Sequence, residues 1–127
     1  MINWNDLFKI KIRELSEAQT KHLVVKALVV QQLLIKYKKD KHYLRIYTEF
    51  PIDEGKICDV YIENTRKKEA YAYEIQERVT PDWLDKTNQI YKDWEVPFCS
   101  SDLVIINLSE LSDDIPTLTK QIKKLII

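Results

Sequence analysis

The chain has 127 residues, with 20 basic and 20 acidic side chains and no formal net charge. That length suits one domain with a real core. The charge balance excludes a global basic field, so any contact with nucleic acid has to come from a local basic patch.

The two cysteines, Cys58 and Cys99, form no CxxC pair. Their separation argues against zinc and for two reduced thiols in a cytoplasmic protein. The opening MINWNDLFKIKIREL is charged and amphipathic and lacks the small-residue cleavage site of a signal peptide. No apolar run reaches the roughly 18 residues that a membrane helix needs.

Taken in chain order, helical spacing predicts a helix over Ile12–Lys38, with Leu15, Ala18, Leu23, Ala27, Val30, Leu34 and Tyr37 as its stripe. Apolar residues extend well around it, so burial on more than one side is expected. The charged KYKKDKH ends it. Tyr43–Phe50 has strand composition and is expected to stop at Pro51. IDEG is a turn in which Gly55, the chain's one glycine, takes positive φ without cost. Ile57–Glu63 and Ala70–Gln76 are further strands joined by the charged turn NTRKKE, which makes an antiparallel meander.

Thr80 as N-cap, Pro81 at the first helical position and Asp82 in the first turn open a second helix. Its predicted stripe is Trp83, Leu84, Thr87, Ile90, Tyr91 and Trp94. LVIINL, Leu103–Leu108, is expected to be a strand buried on both faces. Asp114–Ile127 is a last amphipathic helix. The fold class is therefore α/β, in the order αβββαβα, with one mixed sheet flanked by helices.

Side chains alternate along a strand. In KICDVYI, Asp59 shares a face with Ile57 and Tyr61. In AYAYEIQ, Glu74 shares one with Ala70, Ala72 and Gln76. As hairpin neighbours, Asp59 and Glu74 are expected to lie side by side, and the alanines leave room. Carboxylates in apolar strands are costly unless paired, and a hard divalent cation is a suitable partner. Glu49, ten positions before Asp59, adds a third acid. Other chemistries fit poorly: a single glycine builds no phosphate-cradling loop, and no serine stands in a nucleophile elbow.

The stretch His22–Leu108, about two thirds of the chain, resembles the PD-(D/E)XK, or restriction-endonuclease-like, nucleases. Asp59 corresponds to the family's first acid and Glu74-Ile75-Gln76 to its (Asp/Glu)-x-Lys. Glu49 corresponds to the first-strand acid of many members. His22 and Lys26 match the His-x-x-x-Lys of a branch whose third-strand motif is also Glu-x-Gln. Holliday-junction resolvases, restriction enzymes and archaeal viral nucleases share this core.

The resemblance implies a DNA-cleaving hydrolase of endonuclease or junction-resolving type that uses Mg²⁺ or Mn²⁺. Asp59, Glu74, Glu49 and the Ile75 carbonyl would hold the metal, and Gln76 would orient water. A homodimer is implied for cutting two strands, in the cytoplasm or, for a viral protein, the host's. The departure is Gln76, which supplies no positive charge where the family has lysine. Lys26 is expected to substitute for it, with Lys86 as the lesser candidate. His22, Arg66, Lys67, Lys68 and Lys86 are candidate nucleic-acid contacts. Two alternatives stay open. One is a catalytically inactive nuclease-fold domain binding nucleic acid or a protein. The other is a plain α/β interaction domain whose acids lie on the surface by coincidence.

Overall fold

A computed structural model describes residues 16–53 and 55–126. Its helices are α1 (Glu17–Lys36), α2 (Pro81–Tyr91) and α3 (Ile115–Leu125), and its strands are β1 (Leu44–Asp53), β2 (Lys56–Asn64), β3 (Glu69–Gln76) and β4 (Ser100–Asn107). A 3₁₀ segment over Lys38–Tyr43 joins α1 to β1. The expected element order holds. The strands form one sheet ordered β1-β2-β3-β4. The first three are antiparallel, and β4 runs parallel to β3 after the α2 crossover.

Local chemistry explains the boundaries. Ser16 and Gln19 form a reciprocal capping box, so α1 starts at Glu17. Residues 12–15 of the predicted helix lie outside the described residues. Thr80 caps α2 as expected. Asp114 proves to be the N-cap of α3 rather than its first residue. Gly55 turns β1 into β2 at φ 76°.

Two layers of helix cover the sheet. Val25, Val29 and Leu33 of α1 and Leu118 and Ile122 of α3 pack on Val60, Ile62, Tyr73, Ile75, Val104 and Ile106. On the other face, Tyr91 of α2 packs with Cys58, Tyr61, Ala70 and Ala72.

Four expectations need correction. The predicted α1 stripe is only partly right: Tyr37 is buried and Val30 packs against the core, but Leu23, Ala27 and Leu34 are exposed while Val25, Val29 and Leu33 are fully buried. The helix is apolar nearly all round, so its sequence does not select a face. Pro51 does not stop β1, which continues to Asp53. As an edge strand, β1 has a free side on which a missing N–H costs nothing. LVIINL is not buried on both faces: Val104 and Ile106 are buried, Leu103 and Ile105 only half so, because β4 is the opposite edge. The α2 stripe is narrower than predicted, with Thr87 and Tyr91 buried and Ile90 exposed. Among the described residues, no helix is long and apolar enough to cross a membrane.

Candidate metal centre

Strand register puts the three acids on one line across the sheet. Glu49 stands opposite Asp59, between the Thr48–Val60 and Phe50–Cys58 pairs. Asp59 and Glu74 occupy the next positions beyond Val60–Tyr73, the last pair joining β2 to β3. Glu49 has a left-handed backbone, φ 55°, a conformation that costs a non-glycine residue about 1–2 kcal/mol.

Each acid has a basic partner. Lys26 of α1 forms an ion pair with Glu49. One turn earlier, His22 Nε2 lies 3.2 Å from Asp59 Oδ1 and 3.0 Å from the Ile75 carbonyl. The Ile75 N–H donates to Asp59 Oδ2 at 2.7 Å. Lys56 Nζ sits 3.2 Å from Glu74 Oε2. The Tyr91 hydroxyl donates to that same oxygen at 2.6 Å. Both contacts fall on Oε2, and among the described residues no hydrogen bond or salt bridge reaches Oε1.

The electrostatics follow from these contacts. Burial alone would raise the Asp59 pKa, but the His22 and Ile75 donors outweigh it and hold the group below its ordinary value. The same Asp59 bond, opposed by burial, raises His22 above its usual range. Burial raises Glu74, against the pull of Tyr91 and Lys56, and the nearby Asp59 charge adds to the rise. Asp59 and Glu74 are therefore close enough to feel one another. Cys58 is pushed up to about 12, first by burial and then by these two carboxylates, which removes it as a thiolate nucleophile at neutral pH.

The acids do not present themselves as alternation implies. Glu74 bonds to Tyr91 of α2, whereas Asp59 bonds to His22 of α1 and to the Ile75 N–H of the neighbouring strand. Among the described residues, no three His, Cys, Asp or Glu side chains converge on one point. The donor chemistry nevertheless suits a hard cation: two carboxylates and the Ile75 carbonyl, with waters completing the shell, are a set that Mg²⁺ accepts.

Of the sequence candidates, His22, Lys26, Glu49, Asp59, Glu74 and Ile75 gather here. Gln76 borders them, lining with His22 and Ile75 a cleft of about 670 Å³. Lys26, expected to replace the missing family lysine, is committed to Glu49 instead. Lys86 is exposed on α2, and among the described residues it makes no hydrogen bond or salt bridge to the centre. Arg66, Lys67 and Lys68 lie in the β2–β3 turn, at the far end of those strands. Lys56 and Tyr91 are the residues that sequence reasoning missed. Lys56 opens β2 three positions before Asp59, and Tyr91 reads from sequence as packing; only the tertiary fold brings both to Glu74.

The class defined here is an α/β domain with three acid–base pairs strung across three adjacent strands. Comparison of the chain with protein-family models, with curated proteins and with solved structures gives no match.

Proposed function

We propose that the chain is a divalent-metal-dependent nuclease of the restriction-endonuclease-like kind, acting on DNA and centred on Asp59 and Glu74. The observation that carries this reading is the line Glu49, Asp59, Glu74, in which an exposed, a half-buried and a buried acid from three neighbouring strands pair with Lys26, His22 and Lys56. Asp59, Glu74 Oε1 and the Ile75 carbonyl would hold Mg²⁺ or Mn²⁺. Bound there, such an ion lowers the pKa of a coordinated water and offsets charge on a phosphate.

The chain's own groups supply the rest. His22 fixes Asp59 and the Ile75 carbonyl together. Tyr91 and Lys56 fix Glu74. The Lys56 ammonium stands where it can also meet a phosphoryl oxygen, the positive charge that Gln76 cannot provide. Gln76 borders the open cleft and can orient water with its amide. Cutting both strands of a duplex requires two such centres, so a homodimer with two-fold symmetry fits the reading.

One observation favours the second reading, a catalytically inactive domain of this fold. Every acid already has an internal base, so no carboxylate demands a metal. One experiment separates the two readings. The purified protein is titrated calorimetrically with Mg²⁺ and Mn²⁺ and assayed on labelled linear, flap and four-way-junction DNA, beside Asp59→Ala and Glu74→Ala. Metal binding and metal-dependent cutting that both disappear in the variants support the nuclease. Absence of binding and cutting in the parent protein supports the inactive domain.

A further inference from the structure

A second charged feature lies at the other end of α1. The C-terminal turn of α1, the start of the 3₁₀ segment and the β2–β3 turn enclose a cleft of about 690 Å³, lined by Lys36, Tyr37, Lys38, Lys39, Arg66 and Lys67 among others. Five of the chain's 20 basic residues meet there. Asp40 is the one acid in the lining, and Glu69 is near enough to be felt by Lys36.

The cleft has a fixed frame. Asp40 is buried and accepts from Asn64 Nδ2 at 3.1 Å and from Arg66 Nη1 at 2.7 Å. Asn64 in turn accepts from the backbone N–H groups of Arg66 and Lys67. The β2–β3 turn is thereby tied to the segment after α1. Within that frame, the ammonium groups of Lys36 and Lys67 each lie 5.4 Å from the centroid of the Tyr37 ring. Among the described residues, Lys36, Lys38, Lys39 and Lys67 form no salt bridge. Burial and the charge of Lys67 pull Lys36 below the ordinary lysine value. Two cations, one from α1 and one from the β2–β3 turn, thus lie over one ring, and among the described residues Arg66 is the one base of the five that forms a salt bridge. In a chain of zero net charge, this local excess is the patch that a polyanion would find.

We propose that this cleft is a binding site for the phosphate backbone of nucleic acid, with Lys36, Lys38 and Lys67 as the phosphate contacts and Arg66 as the residue that holds the cleft's shape. That the anion is a nucleic acid rests on the function proposed above; the cleft itself does not. Lys26 and Lys36 lie about 15 Å apart along α1, the rise of about four base pairs of duplex. Lys68, in the turn but outside the lining, takes no part.

The test is fluorescence anisotropy of labelled duplex DNA in EDTA, where no cutting occurs, at salt concentrations from about 50 to 200 mM. The parent protein is compared with the triple variants Lys36→Gln/Lys38→Gln/Lys67→Gln and Lys36→Arg/Lys38→Arg/Lys67→Arg. Arg66 is left in place because it holds Asp40, and circular dichroism checks that both variants fold. The expected result is a salt slope that flattens by about one per lysine replaced with glutamine and is retained with arginine. An unchanged slope in the glutamine variant, or no DNA binding by the folded parent at the lowest salt, overturns the cleft. Neither outcome touches the metal titration of Asp59→Ala and Glu74→Ala. Conversely, loss of the nuclease reading in that titration leaves a cleft-dependent salt slope standing.

Discussion

Tyr91→Phe removes one oxygen atom and leaves the ring in its packing position against α2's side of the sheet. The lost hydroxyl donates at 2.6 Å to Glu74 Oε2, and both side chains are buried, Glu74 at 4% exposure and Tyr91 at 8%. A hydrogen bond to a charged group contributes about 1.5–3 kcal/mol. Water has little access to replace it at this burial, so the upper half of that range applies, about 2–3 kcal/mol. For a domain of this size the corresponding fall in Tm is about 6–12 °C. In a Glu74→Gln background the same hydroxyl meets a neutral oxygen, and its removal costs about 1 kcal/mol. A double-mutant cycle by urea denaturation at neutral pH therefore gives a coupling of about 1–2 kcal/mol. A cost below about 0.5 kcal/mol for Tyr91→Phe alone, the level of an ordinary surface change, would refute the claim that Tyr91 anchors the Glu74 carboxylate.

Three further outcomes are expected. Leu33→Ala costs about 2–5 kcal/mol, whereas the next residue's change, Leu34→Ala, stays within about 0.5 kcal/mol, because Leu33 is fully buried and Leu34 is 52% exposed; equal effects in denaturant titrations would reject the phase of α1. The Asp40 carboxyl is held below the ordinary aspartate range, first by the Asn64 bond and then by Arg66. A depressed carboxylate adds stability above its unfolded pKa and loses it as pH falls through the folded one. The Tm advantage of the parent over Asp40→Asn is therefore present above about pH 4 and disappears under more acid conditions. In the DNA-cleavage assay, Lys56→Gln lowers the rate by about a hundredfold, and adding Gln76→Lys restores part of it; a Lys56→Gln rate equal to the parent's removes Lys56 from the centre.

The element order was legible because its punctuation is local. Thr80-Pro81-Asp82 and the lone Gly55 each fix a boundary by their own chemistry. Ser16 and Gln19 carry an equally local start signal for α1, but the apolar periodicity running across them hides it. The face that α1 buries was not legible, since Leu, Val and Ala occupy both candidate stripes and the sheet decides between them. Glu49, Asp59 and Glu74 could be aligned from strand parity and short turns. Their partners could not. His22 and Lys26 meet acids 37 and 23 positions away along the chain, and Lys56 and Tyr91 reach Glu74 only after the hairpin and the α2 crossover have closed.

Asp59 shows why parity alone misplaces the centre. Strict alternation groups Cys58 with Val60 and Ile62, and Asp59 with Tyr61. In the fold, Cys58 and Tyr61 pack in one cluster against α2, while Val60 and Ile62 pack in the other against α1. The strand therefore slips phase between Cys58 and Tyr61, and Asp59 is released toward His22. Pairing of β2 with β3 ends at the same place, at Val60–Tyr73, and the partner across β1, Glu49, takes its left-handed backbone there. Three departures from regular sheet thus coincide on the line that carries the acids. A strand evolved only to pack its two layers gains nothing from them, for each loses ladder bonds or strains a residue. Their coincidence with Asp59 and Glu49 favours a sheet shaped to present those carboxylates over acids left on a surface by chance.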